Sequence, residues 1–157
     1  MGILAALDHS AFSEWLLGSN SIWAYPTVLT LHTFGMMVLV GAAAVLDLRL
    51  LGFGRGIPLG SMQTLFRTMW VAFWLNLVTG TMLFVADATK RATSPIFIVK
   101  LALVAIGVVT IVLIKRNVYG TNPDPATVSG TAKRLAIVSI LVWSAAITTG
   151  RLLAYVT

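Results

Sequence analysis

The stretch IWAYPTVLTLHTFGMMVLVGAAAVL, residues 22–46, decides the fold. It holds no Asp, Glu, Lys or Arg, and the charge-free run reaches back to Trp15. A bilayer crossing takes about 20 mostly apolar residues, so this stretch predicts a membrane span. Three more follow. Residues 68–86 are uncharged, 96–114 contain only Lys100, and 135–155 carry Arg151 near their end. Helices and closed barrels are the two ways to satisfy a backbone in hydrocarbon. These runs are too long and too evenly apolar for barrel strands, whose two faces alternate. The expected fold is therefore all-α: an integral membrane four-helix bundle, one membrane domain over 1–157.

Composition agrees. The chain is 58% hydrophobic and 10% charged, where a soluble domain carries about 45–50% apolar and about 25% charged residues. That difference excludes an ordinary soluble globule, a disordered chain and a nucleic-acid-binding domain. With no cysteine, disulfides, thiolate chemistry, Cys-ligated zinc and iron–sulfur clusters are excluded together. The 11 Lys+Arg against 5 Asp+Glu read as cationic edges of membrane loops.

The segment ahead of the first span is not expected to be a cleaved signal peptide, because Asp8 and Glu14 precede the apolar run and no cation leads it. Over residues 4–17, helical spacing puts Leu7, Ala11, Phe12, Trp15 and Leu16 on one face. That pattern predicts an amphipathic helix lying in the membrane interface, with Trp15 at headgroup depth.

Charge sets an expected orientation. The first loop and its flanks hold Arg49, Arg55 and Arg67, and the third holds Lys115, Arg116, Lys133 and Arg134. The opposite side has Lys90, Arg91 and Arg151. The positive-inside rule then places both termini outside, the periplasm for a bacterial inner (cytoplasmic) membrane. The loops are short; residues 52–60 and 120–125 are rich in Gly and Pro and break the helices.

Titratable residues within a span are costly and mark candidate sites. His32 lies ten residues into the first span, with Gly35 and Met36 one turn on. Lys100 lies about one turn into the third span. Because the helices alternate in direction, His32, Lys100, Arg91 and Arg151 gather in the outer half. Glycines occur in every span, at Gly35, Gly80, Gly107 and Gly150. A porphyrin needs an imidazole for its metal, helix surfaces without bulk, and cations for its two propionates. His32 (as metal ligand), Gly35, Gly80, Arg91, Lys100 and Arg151 match those needs. Met36 and Met82 beside His32 would instead suit Cu(I), which favours thioether and imidazole. Asp47 and Arg49 mark the inner end of the first span, and no acid is expected inside one, which speaks against a proton relay. No triad, paired carboxylates or phosphate-binding glycine loop is present.

Tyr25-Pro26, Leu31-His32-Thr33-Phe34-Gly35, Val40-Gly41 and Asp47-Leu48-Arg49-Leu50-Leu51-Gly52 resemble an uncharacterised family of small four-span bacterial inner-membrane proteins. Phe84-Val85-Ala86-Asp87-Ala88, Ser94 to Leu101 and Gly150-Arg151 extend the resemblance along most of the chain. More remotely, His32 resembles the first-span histidine of the CopD copper-resistance membrane domain. His32 with Lys100 resembles the HemJ type of protoporphyrinogen oxidase, a haem-binding four-helix protein. The further histidines of the HemJ pattern are replaced here by Leu50-Leu51-Gly52 and Lys115-Arg116-Asn117. Three functions follow as expectations. The first is b-type haem binding with redox or electron-transfer work. The second is a cofactor-free accessory subunit in a homo-oligomer or larger membrane complex. The third is copper handling.

Overall fold

The structure, a computed structural model, describes residues 2–19, 21, 23–120 and 128–156. Among them are seven α-helices: α1 (Ile3–Asp8), α2 (Ala11–Gly18), α3 (Tyr25–Leu51), α4 (Gln63–Ala86), α5 (Ala88–Thr93), α6 (Pro95–Tyr119) and α7 (Gly130–Val156). A short 3-10 turn, Leu59–Met62, leads into α4. The four long helices are apolar and long enough to cross a bilayer. Ile22, the expected start of the first span, and 121–127 of the third loop lie outside the described residues.

Each long helix outruns the apolar stretch that predicts it. A helix ends where its backbone must turn rather than where lipid ends. Pro26 sits in the first turn of α3, where a missing N–H costs nothing. Gly52 ends α3 with φ 106°, a left-handed conformation that side-chain-bearing residues rarely adopt. Its amide and that of Phe53 return to the carbonyls of Arg49 and Leu48. Pro95 opens α6 in the same way as Pro26 opens α3.

The long helices form two antiparallel hairpins, α3–α4 and α6–α7, which meet chiefly along α3 and α7. Aromatic contacts tie α4 to α6 at both ends. Phe84 stacks on Phe97 at 5.4 Å, and Phe66 meets Tyr119 edge-on at 5.4 Å. The Tyr119 hydroxyl also donates to the Leu59 carbonyl at 2.7 Å. Outward residues such as Val71, Trp74 and Leu141 remain exposed on the lipid-facing surface. Small residues let the hairpins close: a Cβ at Gly107 on α6 would stand 2.7 Å from the Trp143 ring of α7.

Two buried clusters fill the interior. The larger includes Leu39, Leu46, Leu50, Phe66, Met69, Ile111, Ile114 and Trp143. The smaller, at the end bearing the N-terminus, joins Leu16, Ala24, Val28, Leu83 and Ala86. Along α3 the interval between them falls at His32 and Gly35, and along α4 at Asn76, Thr79 and Gly80. A polar layer therefore separates two apolar ones.

The N-terminal segment departs from the single helix expected over 4–17. It is two helices, α1 and α2, broken at His9–Ser10. Ser10 caps α2 by accepting from the Ser13 amide at 3.2 Å. The segment packs on the bundle. Ser13 and Leu16 are buried, whereas Phe12 and Trp15 face outward. The Ser13 hydroxyl donates to the Ala86 carbonyl at 3.0 Å, satisfying an end group of α4. The Asp8 carboxylate accepts from the amides of Ala88 at 2.6 Å and Thr89 at 3.3 Å, capping α5 from 80 residues away in sequence. Thr89, through its hydroxyl and then its amide, and Ala88 hold the Asp8 carboxyl below the usual carboxylate range. A group depressed in the folded state stabilises it above the ordinary carboxylate pKa of about 4. That contribution disappears as pH falls through the lowered value. A nitroxide on Phe12→Cys in this cysteine-free chain should be immobilised at neutral pH and loosen in acid. With Asp8→Asn added it should be loose at neutral pH already. A label whose mobility ignores both changes contradicts the docking.

Candidate functional site

The polar layer holds the candidate site. His32 projects from α3 toward α4, where its Nδ1 lies 3.0 Å from the Thr79 hydroxyl oxygen. That hydroxyl has one hydrogen, and it donates it to the Leu75 carbonyl at 2.7 Å, with the Asn76 carbonyl at 3.4 Å. An oxygen pair at 2.7 Å without a hydrogen between would repel. Thr79 must therefore accept from His32, and the imidazole carries its proton on Nδ1. The Nε2 atom then presents a lone pair. Among the described residues the side-chain partner of the ring is Thr79 at Nδ1, and the Asn76 carbonyl is also within reach of the imidazole. An imidazole fixed through one nitrogen with a lone pair on the other is the arrangement that metal-binding histidines use.

The glycines singled out by sequence fall beside polar side chains. A Cβ at Gly80 would stand 3.1 Å from His32 Cε1, so Gly80 gives the imidazole its place against α4. A Cβ at Gly35 would stand 2.7 Å from Asn76 Nδ2. Asn76 donates to the Ala72 carbonyl at 3.0 Å, and its Oδ1 is buried without a partner. Both glycine spaces are filled by neighbouring side chains. They give close helix approach rather than a bare wall.

Lys100 comes from the other hairpin. Its Cε and Nζ pass 3.6 and 3.7 Å from where a Cβ at Gly150 of α7 would stand. Counting the helical rise from the nearest helix ends, His32, Gly80, Lys100 and Gly150 lie about 8–11 Å deep, one layer. Arg91 reaches in from α5, and its Nε is buried without a partner. Lys100 and Arg91 lie within electrostatic range of His32 and of each other. Among the described residues no carboxylate forms a salt bridge with either. The structure thus brings His32, Gly80, Arg91 and Lys100 together. Arg151 is exposed, next to the Gly150 that Lys100 packs against, and Gly35 lies one turn deeper with Asn76.

Of the copper candidates, Met36 is half-buried on α3, and Met82 packs against the outer apolar cluster. Among the described residues no group of three or more His, Asp or Glu side chains could hold a metal ion.

From the sequence, a buried His32 has Asn76 or Thr79 of the second span as partners across helices, and in the structure the side chain that meets its Nδ1 is Thr79. One residue escaped the sequence reading. Asp47 overturns the expectation that no acid lies within a span. Helix α3 continues one turn beyond it to Leu51, and Asp47 is 1% exposed. Ending the span at the last uncharged residue, Leu46, placed it outside.

Substituting Thr79→Val keeps the shape and removes the acceptor for Nδ1–H. Nitrogen NMR should then show the Nδ1-protonated pattern of His32 lost, while Thr79→Ser retains it. Stability should fall by about 1 kcal/mol. An unchanged His32 pattern in Thr79→Val contradicts the assignment.

No curated protein and no solved structure matches the chain. A family model does match residues 17–156, nearly the whole length. The chain belongs to DUF6644, a family of unknown function.

Proposed function

We propose that this protein binds haem b within the membrane, where His32 Nε2 would hold its iron, and serves a redox or electron-transfer role. One observation carries the reading: an imidazole pinned through Nδ1, its Nε2 presenting a lone pair, near two cations that form no carboxylate salt bridge among the described residues. A Lys at a span centre costs about 2.5–3.5 kcal/mol to insert, and Lys100, five residues inside α6, bears part of that cost. An anionic ligand offsets that cost and relieves the repulsion between like charges. The two propionates of haem are such anions.

The donor set fits the group through side chains rather than through glycine walls. His32 supplies the metal-facing nitrogen, and Thr79 fixes its ring orientation. Lys100 and Arg91 balance the carboxylates, and exposed Arg151 adds positive charge toward the outer surface. Bound haem supplies one-electron chemistry. The remote resemblance to HemJ rests on His32 and Lys100. The oxidase activity is not carried over, because this chain lacks that pattern's other histidines.

Orientation follows from charge. Seven cations (Arg49, Arg55, Arg67, Lys115, Arg116, Lys133, Arg134) lie at one end and four (Lys90, Arg91, Lys100, Arg151) toward the other. In a bacterial inner membrane the richer end faces the cytoplasm. Both termini and the His32 layer then lie toward the periplasm.

A second reading, a cofactor-free accessory subunit, is favoured by the filling of the Gly35 and Gly80 spaces by Asn76 and His32. In it, the exposed α4 stripe of Val71, Trp74 and Val78 meets a second copy or a larger complex.

Expression with ample haem separates the readings. The haem account expects a red protein whose Soret band disappears in His32→Ala. Lys100→Ala or Arg91→Ala should weaken haem retention about tenfold. A colourless, metal-free preparation contradicts it and supports the accessory subunit. Copper at one per chain, lost with Met36→Leu or Met82→Leu, contradicts it in favour of copper handling.

A further inference from the structure

The interior contains a further titratable group, unused by the His32 layer and at the other end of the same helix as His32. Asp47 is 1% exposed and Ser139, facing it from α7, is 0% exposed. The Asp47 Oδ2 and the Ser139 Oγ are both buried and without a hydrogen-bond partner. The Ser139 hydroxyl is a neighbour of the carboxyl across the α3–α7 join. Buried apolar residues flank the pair: Ala43, Leu46 and Leu50 on α3, Ala136 and Trp143 on α7.

Every cation that could neutralise Asp47 is engaged or turned away. On α3 itself, Arg49 donates to the Ile57 carbonyl at 2.8 Å and to the Arg55 carbonyl at 3.3 Å, which holds it to the loop. On α4, Arg67 is exposed. On α6, the Lys115 ammonium lies over the Phe66 ring at 5.8 Å, and Arg116 is exposed. On α7, Lys133 and Arg134 are exposed. Among the described residues no cation forms a salt bridge with Asp47. An ionised carboxylate in such surroundings has neither a counter-charge nor enough donors. A neutral carboxyl needs only one acceptor for its hydrogen, and Ser139 offers one.

We propose that Asp47 and Ser139 form a membrane-embedded proton-binding site at the seam between the two hairpins. Loading is the reversible addition of one proton to the carboxylate, with the O–H donating to Ser139 Oγ. Asp47 lies about 6 Å from the nearer end of α3, counting four residues to Leu51, so the proton exchanges with water on that side. Because α3 and α7 are the main join between the hairpins, losing the proton puts an uncompensated charge into that join and loosens it. The site stands independently of any haem.

Infrared difference spectroscopy on the full protein in lipid tests this directly. At neutral pH, wild type minus Asp47→Asn should contain the carbonyl band of a protonated carboxylic acid, moving in deuterium oxide and disappearing in alkali. Carboxylate stretches in its place at neutral pH overturn the proposal. Should Asp47→Asn fail to fold, Ser139→Ala decides. It keeps the carboxyl but removes its acceptor, so the band should shift in frequency. An unshifted band overturns the pairing.

Discussion

A polar group inside hydrocarbon has no water to turn to, and the structure is organised by that constraint. The sequence Nδ1–H of His32 to Thr79 Oγ1, then Thr79 O–H to the Leu75 carbonyl, runs at 3.0 and 2.7 Å. It passes a hydrogen-bonding requirement from a side chain to the backbone of a neighbouring helix. Other hydroxyls in the spans use the same outlet alone: Thr33, Thr81 and Thr149 each donate to the carbonyl four residues back. His32 differs in having a second polar atom that this device leaves free. That remainder gives the site its chemical potential.

The unsatisfied groups are distributed in depth. Toward the N-terminal end lie His32 Nε2, Lys100 and Arg91, basic and without an acid. Toward the other end lies Asp47, acidic and without a base. Pairing them across the bundle would have neutralised both, yet α3 places His32 and Asp47 fifteen residues apart, about 22 Å of helix. On the readings proposed above, each end finds its own complement, an anion in one case and a proton in the other. The N-terminal helices bear on the first of these, because Asp8 caps α5, the helix that carries Arg91.

Much of the fold was legible in the sequence because hydrocarbon imposes a crude rule, long runs without charge. The rule failed in informative ways. It ended the first span at Leu46 although α3 runs to Leu51, and so missed a buried acid. Gly52 was the better marker, since its left-handed backbone ends the helix. A continuous apolar face over 4–17 hid the break at His9–Ser10. Ser10 ahead of Glu14 in the first turn of α2 was a capping signal within reach. At the site, His32 and Lys100 stood out because titratable residues are rare in spans. For His32 the sequence offered Asn76 or Thr79 as a partner without choosing between them. Spacing on one helix says nothing about which side chain of another helix fills a glycine's space, and Asn76 against Gly35 or Trp143 against Gly107 emerges only from packing.

The central claim is that His32 is held for a ligand rather than for the fold alone. An experimental density map of the protein purified from its own membrane tests it most directly. The account predicts a feature beside His32 Nε2, extending toward Lys100 and Arg91, that belongs to no residue of the chain. A map in which Nε2 is capped by a neighbouring side chain or lipid, with nothing else in the layer, contradicts it.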